Sequence, residues 1–182
     1  SRVDILFSAG KVQERQPLTA KFTAAMLREG ASGLSSAYIA EKLDYYGTTL
    51  QTLATQRNTY ITLYSANRYF FDILPLLCKL VVSPDFPEEE FRTLKERNRQ
   101  ALSVDLMKVN VLASRIFSEQ LFGAENPYGK SEQLADYDTL TTAHLREFHS
   151  RYYTAEQCRI VLSGRITPEM KAAVKETFAA VP

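Results

Sequence analysis

The chain has 182 residues, 45% of them hydrophobic and 24% charged, which is the size and balance of one soluble globular domain able to bury a core of its own. Its 22 basic and 21 acidic residues leave a formal net charge of +1 and are spread along the sequence, so no field argues for nucleic acid or an anionic membrane as partner. No apolar run approaches the roughly 20 residues a membrane-spanning helix needs, and the opening SRVDILFSAG lacks the basic start and long apolar stretch of a signal peptide. It reads as a chain cut from something longer.

In chain order, Val3 to Ala9 alternates and is β-rich at Ile5 to Phe7, which predicts a strand entering the core, and Lys11 to Gln16 is a polar connector. Pro17 to Ala31, PLTAKFTAAMLREGA, predicts a helix. Pro17 suits a first turn, Gly30 suits a left-handed close, and Leu18, Phe22, Ala25 and Met26 form an apolar stripe. Ser35 or Ser36 then caps a second helix with Ile39, Leu43 and Tyr46 inward, ended by Gly47. A hairpin follows from Thr48 to Thr55 and from Thr59 to Ser65, with Tyr60, Thr62 and Tyr64 on one face and Ile61 and Leu63 on the other.

A third helix is expected to begin near Phe71 or Asp72, which places Pro75 in its first turn, and to bury Ile73, Leu74, Leu77, Leu80 and Val81 before Pro84. Pro87 opens a fourth, with Glu88, Glu89 and Glu90 at its positive end and Phe91, Leu94, Asn98, Ala101, Leu102 and Asp105 along one stripe. The segment Asn110 to Phe122 predicts a helix that buries Leu112, Ile116, Phe117 and Leu121. Pro127 and Gly129 make a turn around Tyr128, and a short helical stretch follows near Glu132 to Tyr137. TLTTAHLREFHSRYY then gives a helix with Leu145, Phe148 and Tyr152 inward, Arg159 to Gly164 a buried strand, and Thr167 with Pro168 the capped start of a last helix. Single strands and a hairpin alternating with helix pairs suit an α+β domain over residues 1–182: a mostly antiparallel sheet with helices packed on one face.

Cys78 and Cys158 fall in apolar contexts and read as small core residues. The two histidines, His144 and His149, stand five positions apart, about 140° around a helix, and cannot share an ion unaided.

The order of these pieces resembles the pitrilysin/insulinase family of zinc metallopeptidases, which includes the mitochondrial processing peptidases and their non-catalytic sister subunits. Family members carry H-x-x-E-H on such a first helix, followed by Met, three residues and Gly-Thr. Met26, Gly30 and Ala31 stand at the matching offsets, so the two histidine positions fall on Lys21 and Ala25 and the glutamate on Ala24. Residues at i and i+4 can grip one ion from one helix face, with a carboxylate at i+3 taking a proton from metal-bound water. A protonated lysine has no lone pair and alanine has no donor atom.

The resemblance therefore implies a domain with a degenerate zinc motif and no catalytic residues, binding no cofactor where active relatives hold zinc. Its third metal ligand, a glutamate in active members, falls between Leu102 and Asp105, and Lys21 could pair with Asp105 as a charge replacement. The resemblance implies the first of two tandem domains, with a second homologous domain or an active peptidase subunit as partner. Extended peptides are a further expected partner, with Tyr60, Thr62 and Tyr64 bordering a candidate peptide groove where a strand could be added. Two other functions stay open: a working metallopeptidase with displaced ligands, or a scaffold that binds no peptide. The compartment is open too, cytoplasmic or periplasmic for a bacterial chain.

Overall fold

The computed structural model describes residues Ser1–Pro182. Strand β1 (Arg2–Phe7) turns Val3, Ile5 and Phe7 into the core, and Asp4 on its other face is buried as well. A connector leads to helix α1 (Thr19–Met26), a two-residue ribbon β2 (Gly30–Ala31) with β3 (Leu34–Ser35), and α2 (Ser36–Tyr45). The hairpin β4 (Thr49–Ala54) and β5 (Thr59–Tyr64) precedes α3 (Phe70–Val82), α4 (Glu88–Asp105) and α5 (Val109–Phe122). The chain closes with α6 (Leu134–Thr139), α7 (Thr142–Tyr152), β6 (Cys158–Ser163) and α8 (Pro168–Thr177). The main sheet has the order β4-β5-β1-β6 and is antiparallel throughout, so the fold is α+β as the sequence predicts.

Register decides which face each residue joins. Val3 pairs with Leu63, Ile5 with Ile61 and Phe7 with Thr59, and these point into the larger core with Leu50 from β4. Ile73, Leu74, Leu77, Leu80 and Val81 of α3, Phe148 of α7, and Met170 and Val174 of α8 cover them. The opposite face carries Asp4, Leu6, Tyr60, Thr62, Tyr64, Leu53 and Val161, and no helix lies on it: Leu53 is 61% and Val161 49% exposed on the edge strands, while Asp4 and Thr62 at the centre are buried against each other. A second, ten-residue core joins Leu18, Phe22 and Met26 of the α1 region to Phe91, Leu94 and Leu102 of α4 and to Tyr137, Leu140 and Leu145.

Several local expectations are corrected. α1 is shorter than predicted and is buried on nearly every side, because it stands between the two cores: Ala20 faces one, Phe22 and Met26 the other. Gly30 does not close that helix in a left-handed conformation but begins β2. Pro75 lies inside α3, beyond the first turn, because the helix starts at Phe70; the ring is on the exposed side, where water can satisfy the orphaned carbonyl. Ala101 is exposed, and β6 alternates between half-buried and exposed positions because it is an edge strand. The largest departure is α5, none of whose residues is buried: Ile116, Phe117 and Leu121 face solvent at 59%, 66% and 60%. No helix is long and apolar enough to cross a membrane.

Candidate degenerate peptidase site

α1 begins where it does because two devices meet at its start. Leu18 takes a left-handed backbone with φ of 71°, and the Glu14 carboxylate reaches forward to accept the Ala20 N–H at 2.7 Å. Glu14 thus satisfies a first-turn donor from outside the helix. Gly10 sets the other wall, since a Cβ there would meet the Arg57 backbone at 2.3 to 2.6 Å; this close approach lets Lys11 and Val12 donate to the Thr55 and Gln56 carbonyls at 3.0 and 2.9 Å. Between the connector, the hairpin end and the 130–132 loop lies a cavity of about 450 Å³.

Of the three motif positions, Lys21 lines this cavity. Lys21 places Nζ 3.0 Å from Glu132 Oε2 and 3.5 Å from the Tyr137 hydroxyl. Burial works against its charge, but the Glu132 carboxylate and the Tyr137 hydroxyl outweigh that and hold its pKa above the ordinary lysine value. Ala24 is 1% exposed, and Ala25 packs against the second core. Of the two candidates at the third-ligand position, Leu102 is buried in that same core, whereas Asp105 lies 2.7 Å from Lys108. Lys21 therefore pairs with Glu132, not with Asp105.

This donor set does not fit zinc. One motif position is a cation, two are methyl groups, and nowhere in the chain do three His, Cys, Asp or Glu side chains converge to hold an ion. The histidines have other work: His149 is buried with Nε2 2.8 Å from the Val81 carbonyl, and His144 uses Nδ1 to cap the start of α7 at Thr141. Cys78 is buried and free, with Sγ 3.2 Å from the Thr177 carbonyl; Cys158 is half-buried, its pKa pushed up to about 11 by burial.

Tyr60, Thr62 and Tyr64 lie on the uncovered face, where Thr62 donates to Asp4 at 2.7 Å and the Arg2 guanidinium stands 5.3 Å above the Tyr64 ring. Their strand is interior, bonded to β4 on one side and β1 on the other, so its backbone offers no edge to an added strand. Any such addition belongs to β4 or β6. Tyr128 anchors its loop: its hydroxyl accepts from Arg57 Nε at 2.8 Å and ties the loop to the hairpin turn.

Glu14 and Glu132 carry the electrostatics here, and neither was marked by the sequence. Glu132 lies 111 positions from Lys21, and Glu14 sits in an unpatterned connector. Burial raises the Glu14 pKa from its ordinary 4.5 to about 7, against the pull of the Ala20 and Leu18 N–H groups. The folded chain then holds a proton that the unfolded chain has released, so stability falls as pH rises from about 4.5 to about 7. Over that window the wild-type protein should lose about 2–3 kcal/mol relative to Glu14→Gln in urea melts. His149, its pKa lowered by burial, runs the other way below its ordinary 6.5, which is why the variant is the reference. Equal pH slopes for the two proteins would refute the assignment.

A family profile described as the peptidase M16 inactive domain matches residues 139–182. No curated protein matches the chain in sequence. Over 100% of its length the chain superposes on the peptidase M16 inactive domain from Pseudomonas fluorescens, with a TM-score of 0.93 and 26% identity, covering 45% of that chain. The chain is thus similar to peptidase M16 inactive domains, in fold over its whole length and in sequence pattern over residues 139–182. A protease from Helicobacter pylori shares the fold, with a TM-score of 0.85 and 15% identity over 99% of this chain and 44% of the other. The chain spans less than half the length of either solved structure. Lysine and alanine at the motif positions and the match to the inactive type agree on a non-catalytic, peptidase-like domain.

Proposed function

We propose that this domain is a non-hydrolytic wall of a peptide chamber, completed by a partner of the same fold that carries an intact metal centre. The observation that carries this reading is the uncovered sheet face. A four-stranded sheet with helices on one side only leaves Tyr60, Tyr64, Leu53 and Val161 presented to whatever lies opposite, and a face of that kind suits extended, sequence-varied chains. Aromatic rings and two aliphatic side chains give contact area without demanding one sequence. Lys21, paired with Glu132 beside the neighbouring cavity, is a cation with no lone pair to hold a metal that would polarise water. The domain then holds peptide and leaves cleavage to the partner.

Fluorescence anisotropy with unfolded peptides of mixed sequence tests this. Saturable binding is expected, weakened at least about tenfold by Leu53→Asp combined with Tyr64→Ala, with every peptide recovered intact by mass spectrometry. An absence of saturable binding at peptide concentrations on the order of 1 mM, equivalent to about −4 kcal/mol, would overturn the chamber reading. Cleavage by the purified chain, lost on chelation, would overturn its non-hydrolytic part.

A further inference from the structure

Helix α5 is inside-out. Its half-buried side is Val111, Arg115 and Ser118, with the Arg115 guanidinium donating to the Glu132 carbonyl, while its outer side carries Val109, Leu112, Ala113, Ile116 and Phe117. Those apolar residues are 81%, 40%, 59% and 66% exposed for Val109, Leu112, Ile116 and Phe117, and Met107, at 80%, extends the patch toward α4. A single exposed leucine needs no explanation, but a whole apolar helix face does.

We propose that this face is the contact between two copies of the chain, α5 packing antiparallel on α5 of the second copy about a twofold axis. Charge selects that occupant and that direction. Lys108 and Glu119 flank the apolar stripe on the same side, their separation of 11 residues bringing them within about 20° of one another around the helix. In an antiparallel pair the flank of one helix faces the same flank of the other, running backwards. Lys108 of each copy then meets Glu119 of its mate, twice per dimer; a parallel arrangement would set both against the other flank, which carries Asn110, Ser114 and Leu121 and offers no charge. Lys108 already bridges Asp105 at 2.7 Å, so the second carboxylate joins an existing pair.

The stripe matches itself under the same operation. Val109 falls opposite the Gln120 end, Leu112 opposite Phe117, and Ala113 lies near the axis, where a small side chain allows close approach. Antiparallel macrodipoles favour the arrangement further, and the net charge of +1 adds almost no repulsion between copies. Isologous twofold contacts of this kind require only one self-complementary patch.

Sedimentation equilibrium of the purified chain across a dilution series is the test. The expected result is a monomer–dimer equilibrium whose Kd is weakened at least about tenfold by Ile116→Glu, with an unchanged circular dichroism spectrum because the side chain is exposed. Lys108→Glu and Glu119→Lys should each weaken the dimer, and the double variant should recover it. A chain that stays monomeric at concentrations on the order of 1 mM overturns the proposal and leaves the face to a different partner. A dimer indifferent to Ile116→Glu, or a charge reversal that the second reversal does not rescue, overturns it too. Peptide binding by the sheet face is independent of either outcome.

Discussion

Phe22→Ala should destabilise the domain by about 3–5 kcal/mol, a large share of the 5–15 kcal/mol that holds a domain of this size together. Phe22 is 1% exposed and touches aromatic rings from two other elements, Phe91 at 5.8 Å and Tyr137 at 5.9 Å between centroids, both edge-on. Truncation removes the transfer free energy of the ring, opens a cavity, and deletes two aromatic pairs worth about 0.5–1.5 kcal/mol each beyond their area. The second core has only ten buried residues, so little of it can move to refill the space. Urea unfolding measures the loss; Phe71→Ala, at a residue 50% exposed on α3 whose ring meets only Phe70 edge-on at 5.6 Å, serves as the control and should cost no more than about 1.5 kcal/mol. A Phe22→Ala penalty below about 1 kcal/mol would mean that α1 does not bridge the two cores as described.

Why the fold was legible and the site only partly so follows from the range over which each is encoded. The strands and the hairpin announce themselves because alternation is local: Ile61 and Leu63 fall on one face and Tyr60 and Thr62 on the other in sequence and structure alike. Helical periodicity locates α5 correctly but gives only which side of it is apolar. Whether that side meets the body depends on what Arg115 and Ser118 find there, and a polar attachment at Glu132 turned the helix around. For α1, a single stripe misses a helix caught between two cores, where even Ala20 and Ala24 are enclosed. The loss of metal ligands could be read directly from Lys21, Ala24 and Ala25. What replaced the metal could not, because Glu132 approaches from a loop more than 100 positions away.

Rebuilding the motif by Lys21→His, Ala24→Glu and Ala25→His should yield a less stable protein, not a zinc site. Ala24 is 1% exposed, so a glutamate there buries a carboxylate with no partner, at a penalty of roughly 3–5 kcal/mol unless it stays protonated. An imidazole at position 25 enters the apolar cluster that includes Leu102, and removing the Lys21 ammonium strips Glu132 of its counter-ion 3.0 Å away. Two histidines alone do not complete a tetrahedral centre: on α4 the third-ligand position offers a buried leucine and an aspartate engaged by Lys108, which leaves Glu132, from a loop, as the one carboxylate beside position 21. Metal analysis after dialysis against zinc should find well under one equivalent per chain, and the midpoint of thermal unfolding should drop by tens of degrees at most and about ten at least. One zinc per chain, retained at low micromolar concentration with an undiminished melting temperature, would show that the pocket had stayed preformed. The centre would then have lost its ligands alone, whereas the packing of Leu102, Ala25 and Phe22 indicates that hydrocarbon has taken over the space a metal needs.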